Sequence, residues 1–120
     1  MINVTYGNPI PLRIQLERGG IIFDLSKCTN ITVTIIGPGV SKKANDTRID
    51  SANGFIYVTI PASSRVGMYG IEIAGKIDDI PWRAKYNKVV EITDSTVLGG
   101  NDAIYNGTGD YYDVVISVRL

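Results

Sequence analysis

The chain has 120 residues, a length that fits one ordinary domain and lets a single core bury roughly two-thirds of the unfolded surface. Hydrophobic residues make up 44% and charged residues 20%, a balance that excludes both disorder and a membrane-embedded protein. Twelve Lys and Arg cancel twelve Asp and Glu, which argues against a nucleic-acid backbone as partner, and the lack of histidine removes Ser-His-Asp and Cys-His mechanisms, His-based zinc sites and any imidazole base.

Residues 1–6 carry no basic n-region and no apolar run, so no secretory signal is predicted and the chain is expected to fold in a cytoplasm. No stretch approaches the roughly 18 apolar residues of a membrane span. Pro9 and Pro11 precede the first long strand, in which Leu12, Ile14 and Leu16 alternate with Arg13, Gln15 and Glu17. Gly19 and Gly20 predict a tight turn into the short apolar run Ile21 to Phe23. Cys28 has no second cysteine to bond and no thiolate site to complete. Lys27 beside it would lower its thiol pKa slightly, yet the simpler reading is a half-buried small side chain at a strand edge. Residues 31–36 form the next strand, with Ile31, Val33 and Ile35 on one side, closed by Gly37, Pro38 and Gly39.

Asn53 and Gly54 are a strong turn signal immediately before residues 55–60. That segment is apolar on both faces and reads as a central strand, ended by Pro61. Tyr69, Ile71 and Ile73 alternate next, and residues 75–79 are expected to turn the chain. Ile80, Trp82, Ala84 and Tyr86 then alternate with Arg83 and Lys85, and residues 89–92 extend that strand or begin another. Residues 94–111 hold four glycines and read as a loop. The last segment alternates again through Tyr112, Val114, Ile116 and Val118. No useful helical period occurs.

Short alternating strands with regular turns predict an all-β, immunoglobulin-like sandwich of about seven to eight strands over residues 1–93. Residues 94–120 form a second region, a loop plus a C-terminal strand. That strand either returns to an edge of its own sheet or pairs with another chain as an assembly arm. On the second reading Tyr111, Tyr112, Val114, Ile116 and Val118 form the partner interface. Tyr111 and Tyr112 are adjacent, so one of them must point away from whatever core the other joins. The expected core holds Leu12, Ile14, Leu16, Ile31, Val33, Phe55 or Ile56, Val58, Tyr69, Ile71 and Trp82.

The sequence offers no catalytic set. The only acid–base candidates are carboxylates: Glu72, the pair Asp78 and Asp79 in a turn, and Asp110 with Asp113. Asp102, Asn106, Asp110 and Asp113 could supply oxygens to Ca²⁺ but lack the spacing of a known calcium loop. No enzyme activity, cofactor or metal is therefore expected. Four Asn-x-Thr sequons, at Asn3, Asn30, Asn45 and Asn106, read as asparagines in turns followed by strand threonines rather than glycan sites.

Three stretches resemble one family. Tyr6 to Ile14, followed by the paired glycines, Phe23 to Ser26 and the strand at 31–35, resembles the opening of the immunoglobulin-like N-terminal domains of phage baseplate upper proteins and related tail proteins. Asn53 to Pro61, then Gly67 to Glu72, resembles their hairpin. Ile80 to Tyr86 is similar to a strand in virion proteins of phages and prophages of gut Bacteroides-type bacteria. The resemblance spans residues 6–93 and implies a non-enzymatic virion scaffold: a tail or baseplate, fibre-anchoring or capsid-decorating module. It further implies other virion proteins as partners, a homo-oligomer, and a virion assembled in the host bacterial cytoplasm. The competing class is a carbohydrate-binding or adhesive β-sandwich, which needs exposed aromatics for glycan contact. Neither reading calls for nucleic acid or membrane.

Overall fold

The computed structural model describes residues 2–44, 47–61, 65–93 and 111–119, of which about three-quarters are in strands and none in an α-helix. In chain order they form β1 (Ile2–Thr5), β2 (Ile10–Arg18), β3 (Ile21–Ile22), a single 3-10 turn (Leu25–Lys27), β4 (Cys28–Gly37) and β5 (Val40–Lys43). They continue with β6 (Arg48–Asp50), β7 (Phe55–Ile60), β8 (Gly67–Ile77), β9 (Ile80–Thr93) and β10 (Tyr112–Arg119). All belong to one curled, mixed sheet ordered β5-β4-β8-β9-β10-β2-β7-β6, with β1 on β9 and β3 on β2. The outer strands of this path, β5 and β6, are separated in the chain only by residues 44–47. That short tether keeps the two ends of the path close. β1 runs parallel to β9 and β10 parallel to β2; the other pairings are antiparallel.

The core lies inside the curl. Leu12, Ile14 and Leu16 of β2 face it fully buried, with Ile56, Val58 and Ile60 of β7 and Val114, Ile116 and Val118 of β10 beside them. Val33, Tyr69, Ile71, Ile73, Trp82 and Ala84 pack from the other half. Trp82 is 2% exposed and meets the Phe23 ring edge-on at 5.1 Å. Of the two alternatives at 55–56, Ile56 is the buried one, while Phe55 faces outward, half-buried.

Two irregularities shift the expected phases. In β4 the register slips between Thr29 and Thr32, and Asn30 takes a left-handed φ of 54°. Asparagine adopts that conformation more readily than most residues. The slip leaves Ile31 only partly buried against the core rather than within it. In β9 a bulge of extra residues lies opposite Gly70: Tyr69 pairs with Val90, but Ile71 pairs with Tyr86. Tyr86 is therefore exposed, and burial resumes at Val89, Val90 and Ile92.

The turns follow local chemistry. Gly19 and Gly20 have φ of 62° and 83°, matching the two-residue hairpin that joins β2 to β3. The expected turn at 75–79 is narrower, because Ile77 pairs with Ile80 and only Asp78 and Asp79 lie between them. Both aspartates are left-handed, with φ of 52° and 63°. An L-residue there costs roughly 1 kcal/mol more than glycine. Asp79→Gly should accordingly raise stability by about 1 kcal/mol in urea unfolding, and an unchanged midpoint would show that the turn carries no strain.

Two other aspartates organise turns through their carboxylates. Asp24 accepts from the Ser26 backbone N–H at 2.9 Å and its hydroxyl at 2.6 Å, capping the 3-10 turn. Asp50 accepts from the Asn53 side-chain amide at 2.9 Å and its backbone N–H at 3.3 Å. These bonds hold both carboxyls below the usual carboxylate range, the Ser26 hydroxyl first for Asp24 and the Asn53 amide first for Asp50. A lowered folded pKa gives stability that is complete above the unfolded value, about 3.9. That stability is lost as pH falls through the lower folded value. The midpoint of urea unfolding should therefore drop below about pH 4. In the Asp24→Ala, Asp50→Ala variant that drop should be shallower; an equal drop would assign it to other carboxylates.

Candidate functional site

Alternation along the strands leaves one face of the β6-β7-β2-β10 half outside the curl, and its register gathers an arginine–aromatic patch. Arg48 of β6 pairs with Tyr57 of β7, Tyr57 with Arg13 of β2, and Arg13 with Asp113 of β10, forming one row across four strands. The next row runs Asp50, Phe55, Gln15 and Val115 by the same pairings. Side chains in a row, and diagonally between rows, are close enough to interact.

Those interactions are specific. The Arg48 guanidinium lies 3.8 Å from the Tyr57 ring centroid, and the Arg13 guanidinium 5.0 Å from that of Phe55. Tyr111 meets Tyr57 edge-on at 4.9 Å. Arg13 donates from Nε and a terminal nitrogen to the two oxygens of Asp113, at 2.5 and 3.0 Å. This fork-on-fork geometry fixes the β2–β10 register from outside. A hydrogen bond to Tyr111 is the main influence raising the Arg48 guanidinium above its ordinary value, and one to Asp113 does the same for Arg13. Farther along, Val115 is 53% exposed, and Ile22 and Ile21 on β3 are 55% and 74% exposed. Aromatic and arginine side chains beside uncovered aliphatics make up the usual composition of a protein-docking surface.

The five residues singled out in the C-terminal segment divide between the two faces of the sheet. Tyr111 joins the outer patch, whereas Tyr112 is half-buried against the core, as their adjacency requires. Val114, Ile116 and Val118 are covered by their own chain through pairing with β2 and β9. Alternation also pointed Arg13 outward. The roles of Phe55, Tyr57 and Arg48 were not visible, because the row exists only once four strands are in register. The apolar outer face of 55–60 was the one available signal.

Other candidates do not converge. Asp102, Asn106 and Asp110 lie outside the described residues, and Asp113 is bound to Arg13. Among the described residues no three potential metal ligands come together. Asp78 and Asp79 form the hairpin turn, and Glu72 lies 3.4 Å from Arg83. The Cys28 thiol is pushed up by burial, which reverses the lowering expected from Lys27. A groove of about 510 Å³ opens beside Trp82, Lys76, Arg83 and Arg119, and among the described residues its lining includes no carboxylate. No helix among the described residues is long and apolar enough to cross a membrane. Compared with family models, curated proteins and solved structures, the chain matches none.

Proposed function

We propose that this chain is a non-enzymatic structural protein of a phage virion, a tail or baseplate, fibre-anchoring or capsid-decorating module that works by protein–protein assembly. The observation that carries the assembly reading is the outer patch of Arg13, Arg48, Phe55, Tyr57 and Tyr111, flanked by exposed Val115 and Ile22. The phage assignment rests on the sequence resemblance over residues 6–93. An immunoglobulin-like arrangement within the curled sheet is supported by two features. The strand orders β6-β7-β2 and β5-β4-β8-β9 correspond to the D-E-B and C′-C-F-G sheets of that fold. Tyr69, near the start of β8, donates from its hydroxyl to the Arg65 carbonyl at 2.7 Å, in the manner of a corner tyrosine. Its partners would be other virion proteins and further copies of itself.

The carbohydrate-binding alternative draws on the same exposed rings. It is weaker because sugars stack on open ring faces, whereas Arg48 lies over Tyr57 and Arg13 over Phe55. The test is incorporation. Antiserum to the chain should label density-banded particles from the cells that make it. The Arg48→Ala, Tyr57→Ala variant should fold yet be left out of those particles. Particles free of the chain would overturn the virion reading. Saturable binding of oligosaccharides that is lost in Tyr57→Ala would move the patch to the carbohydrate class.

A further inference from the structure

The groove on the β4-β8-β9-β10 half of the sheet gathers charge of one sign. Alternation sets Arg83 of β9 directly opposite Arg119 of β10 on one side and Ala74 of β8 on the other, in one outer row. The neighbouring outer row pairs Lys76 with Pro81. Between the rows Gly75 pairs with Trp82, whose indole is turned into the core against Phe23. The bulge of β4 re-aims its chain beside Lys76 and brings Asn30 to the groove wall. Ala74 and Pro81 give the groove apolar lining, and Lys76, Arg83 and Arg119 give it charge.

That charge is not balanced where it stands. Like charges directly opposite one another on antiparallel strands repel, and Arg83 and Arg119 are so placed. Among the described residues neither Lys76 nor Arg119 has a carboxylate partner. Glu72 lies 3.4 Å from the Arg83 Nε, but it belongs to the outer row on the side away from Lys76 and does not line the groove. Asp78 and Asp79 turn the chain beyond Lys76 and do not line it either. Electrostatic complementarity therefore calls for anions supplied from outside the chain.

Two features narrow the ligand. The groove's 510 Å³ falls within the range of about 300–1,000 Å³ typical of ligand sites, far more than a lone inorganic anion fills. Zero net charge gives the chain no long-range pull on a nucleic-acid backbone. The two outer rows are two residues apart along β8, about 7 Å, which is also the distance between alternate side chains of an extended peptide.

We propose that this groove binds an extended acidic segment of a partner protein, with carboxylates two residues apart. One carboxylate takes the Arg83–Arg119 pair, the next takes Lys76, and their methylene stems lie on Ala74 and Pro81. The site shares only β10 with the arginine–aromatic patch, and it does not depend on the virion reading.

The probe is a capped pentapeptide with glutamate at its second and fourth positions and threonine elsewhere, titrated calorimetrically into the full chain. Saturable one-to-one binding is expected at low salt, weakening as salt is raised. The Arg83→Gln, Arg119→Gln double variant should weaken it at least about tenfold, the loss expected for a charge-assisted hydrogen bond. Both arginines are exposed, so the same variant should keep its urea midpoint, which separates lost binding from lost folding. Arg48→Ala, Tyr57→Ala should bind the peptide as the unaltered chain does. No binding, equal binding of the matching glutamine peptide, or unchanged affinity in the arginine variant would overturn the proposal. Equal binding of a peptide with adjacent glutamates would overturn the spacing. Inorganic phosphate that displaces the peptide at equal concentration would reduce the groove to a simple anion site and overturn the peptide assignment.

Discussion

Replacing Ile71 by alanine should lower the unfolding free energy by about 3–5 kcal/mol. Ile71 is wholly buried in β8, between the Ile35 pairing on one side and Tyr86 on the other. Truncation removes a branched side chain from a site flanked by two hydrogen-bonded strands, so the backbone cannot collapse to refill the space. The cost therefore combines lost transfer energy with a persistent cavity. Trp82 is the sole tryptophan and is 2% exposed, so its fluorescence reports unfolding directly. A loss below about half a kcal/mol would place Ile71 at the surface and refute the packing described above.

The second large effect belongs to the neighbouring residue and has the opposite cause. A Cβ on Gly70 would stand 2.7 Å from the Tyr86 carbonyl oxygen and 2.9 Å from the Asn87 Cα and carbonyl oxygen. These are backbone atoms of the β9 bulge, so no side-chain rotation can relieve the clash. Gly70→Ala should therefore cost about 3 kcal/mol, the upper part of the overpacking range. Gly39→Ala is the control: its Cβ would meet nothing within 4 Å, and its φ of 70° carries only the left-handed penalty, about 1–2 kcal/mol. Equal urea midpoints for the two variants would mean that the bulge yields freely and does not fix the β8–β9 register.

The long strands were legible because their alternation is uninterrupted. Leu12, Ile14 and Leu16 are each fully buried, and Val114, Ile116 and Val118 keep the same phase at the other end of the chain. The paired glycines and the Asn53–Gly54 turn were legible for a similar reason, since positive φ narrows the choice of residue. Strands β1, β5 and β6, of four, four and three residues, are too short for a period of two to emerge. Bulges defeat alternation from within, as the half-burial of Ile31 and the exposure of Tyr86 show. The row from Arg48 to Asp113 could not be foreseen, because each member is an ordinary outward residue until pairing aligns it with the others. The signals the sequence did offer were the apolar outer face of residues 55–60, the outward phase of Arg13 and the adjacency of Tyr111 to Tyr112.

The latch between Arg13 and Asp113 joins residues one hundred positions apart, and this separation sets an order of events during synthesis. Strand β2 leaves the ribosome early, followed by β7, which pairs along one of its edges. Its other edge must wait for β10, the last of the described strands to be made. Until then the nascent chain presents a nine-residue strand with an open ladder beside Leu12, Ile14 and Leu16. Pairings of such long range close slowly, and exposed strand edges in partly folded chains invite intermolecular contact. On a polysome, where neighbouring chains display the same open edge together, the first β10 to arrive need not belong to the chain that has waited longest.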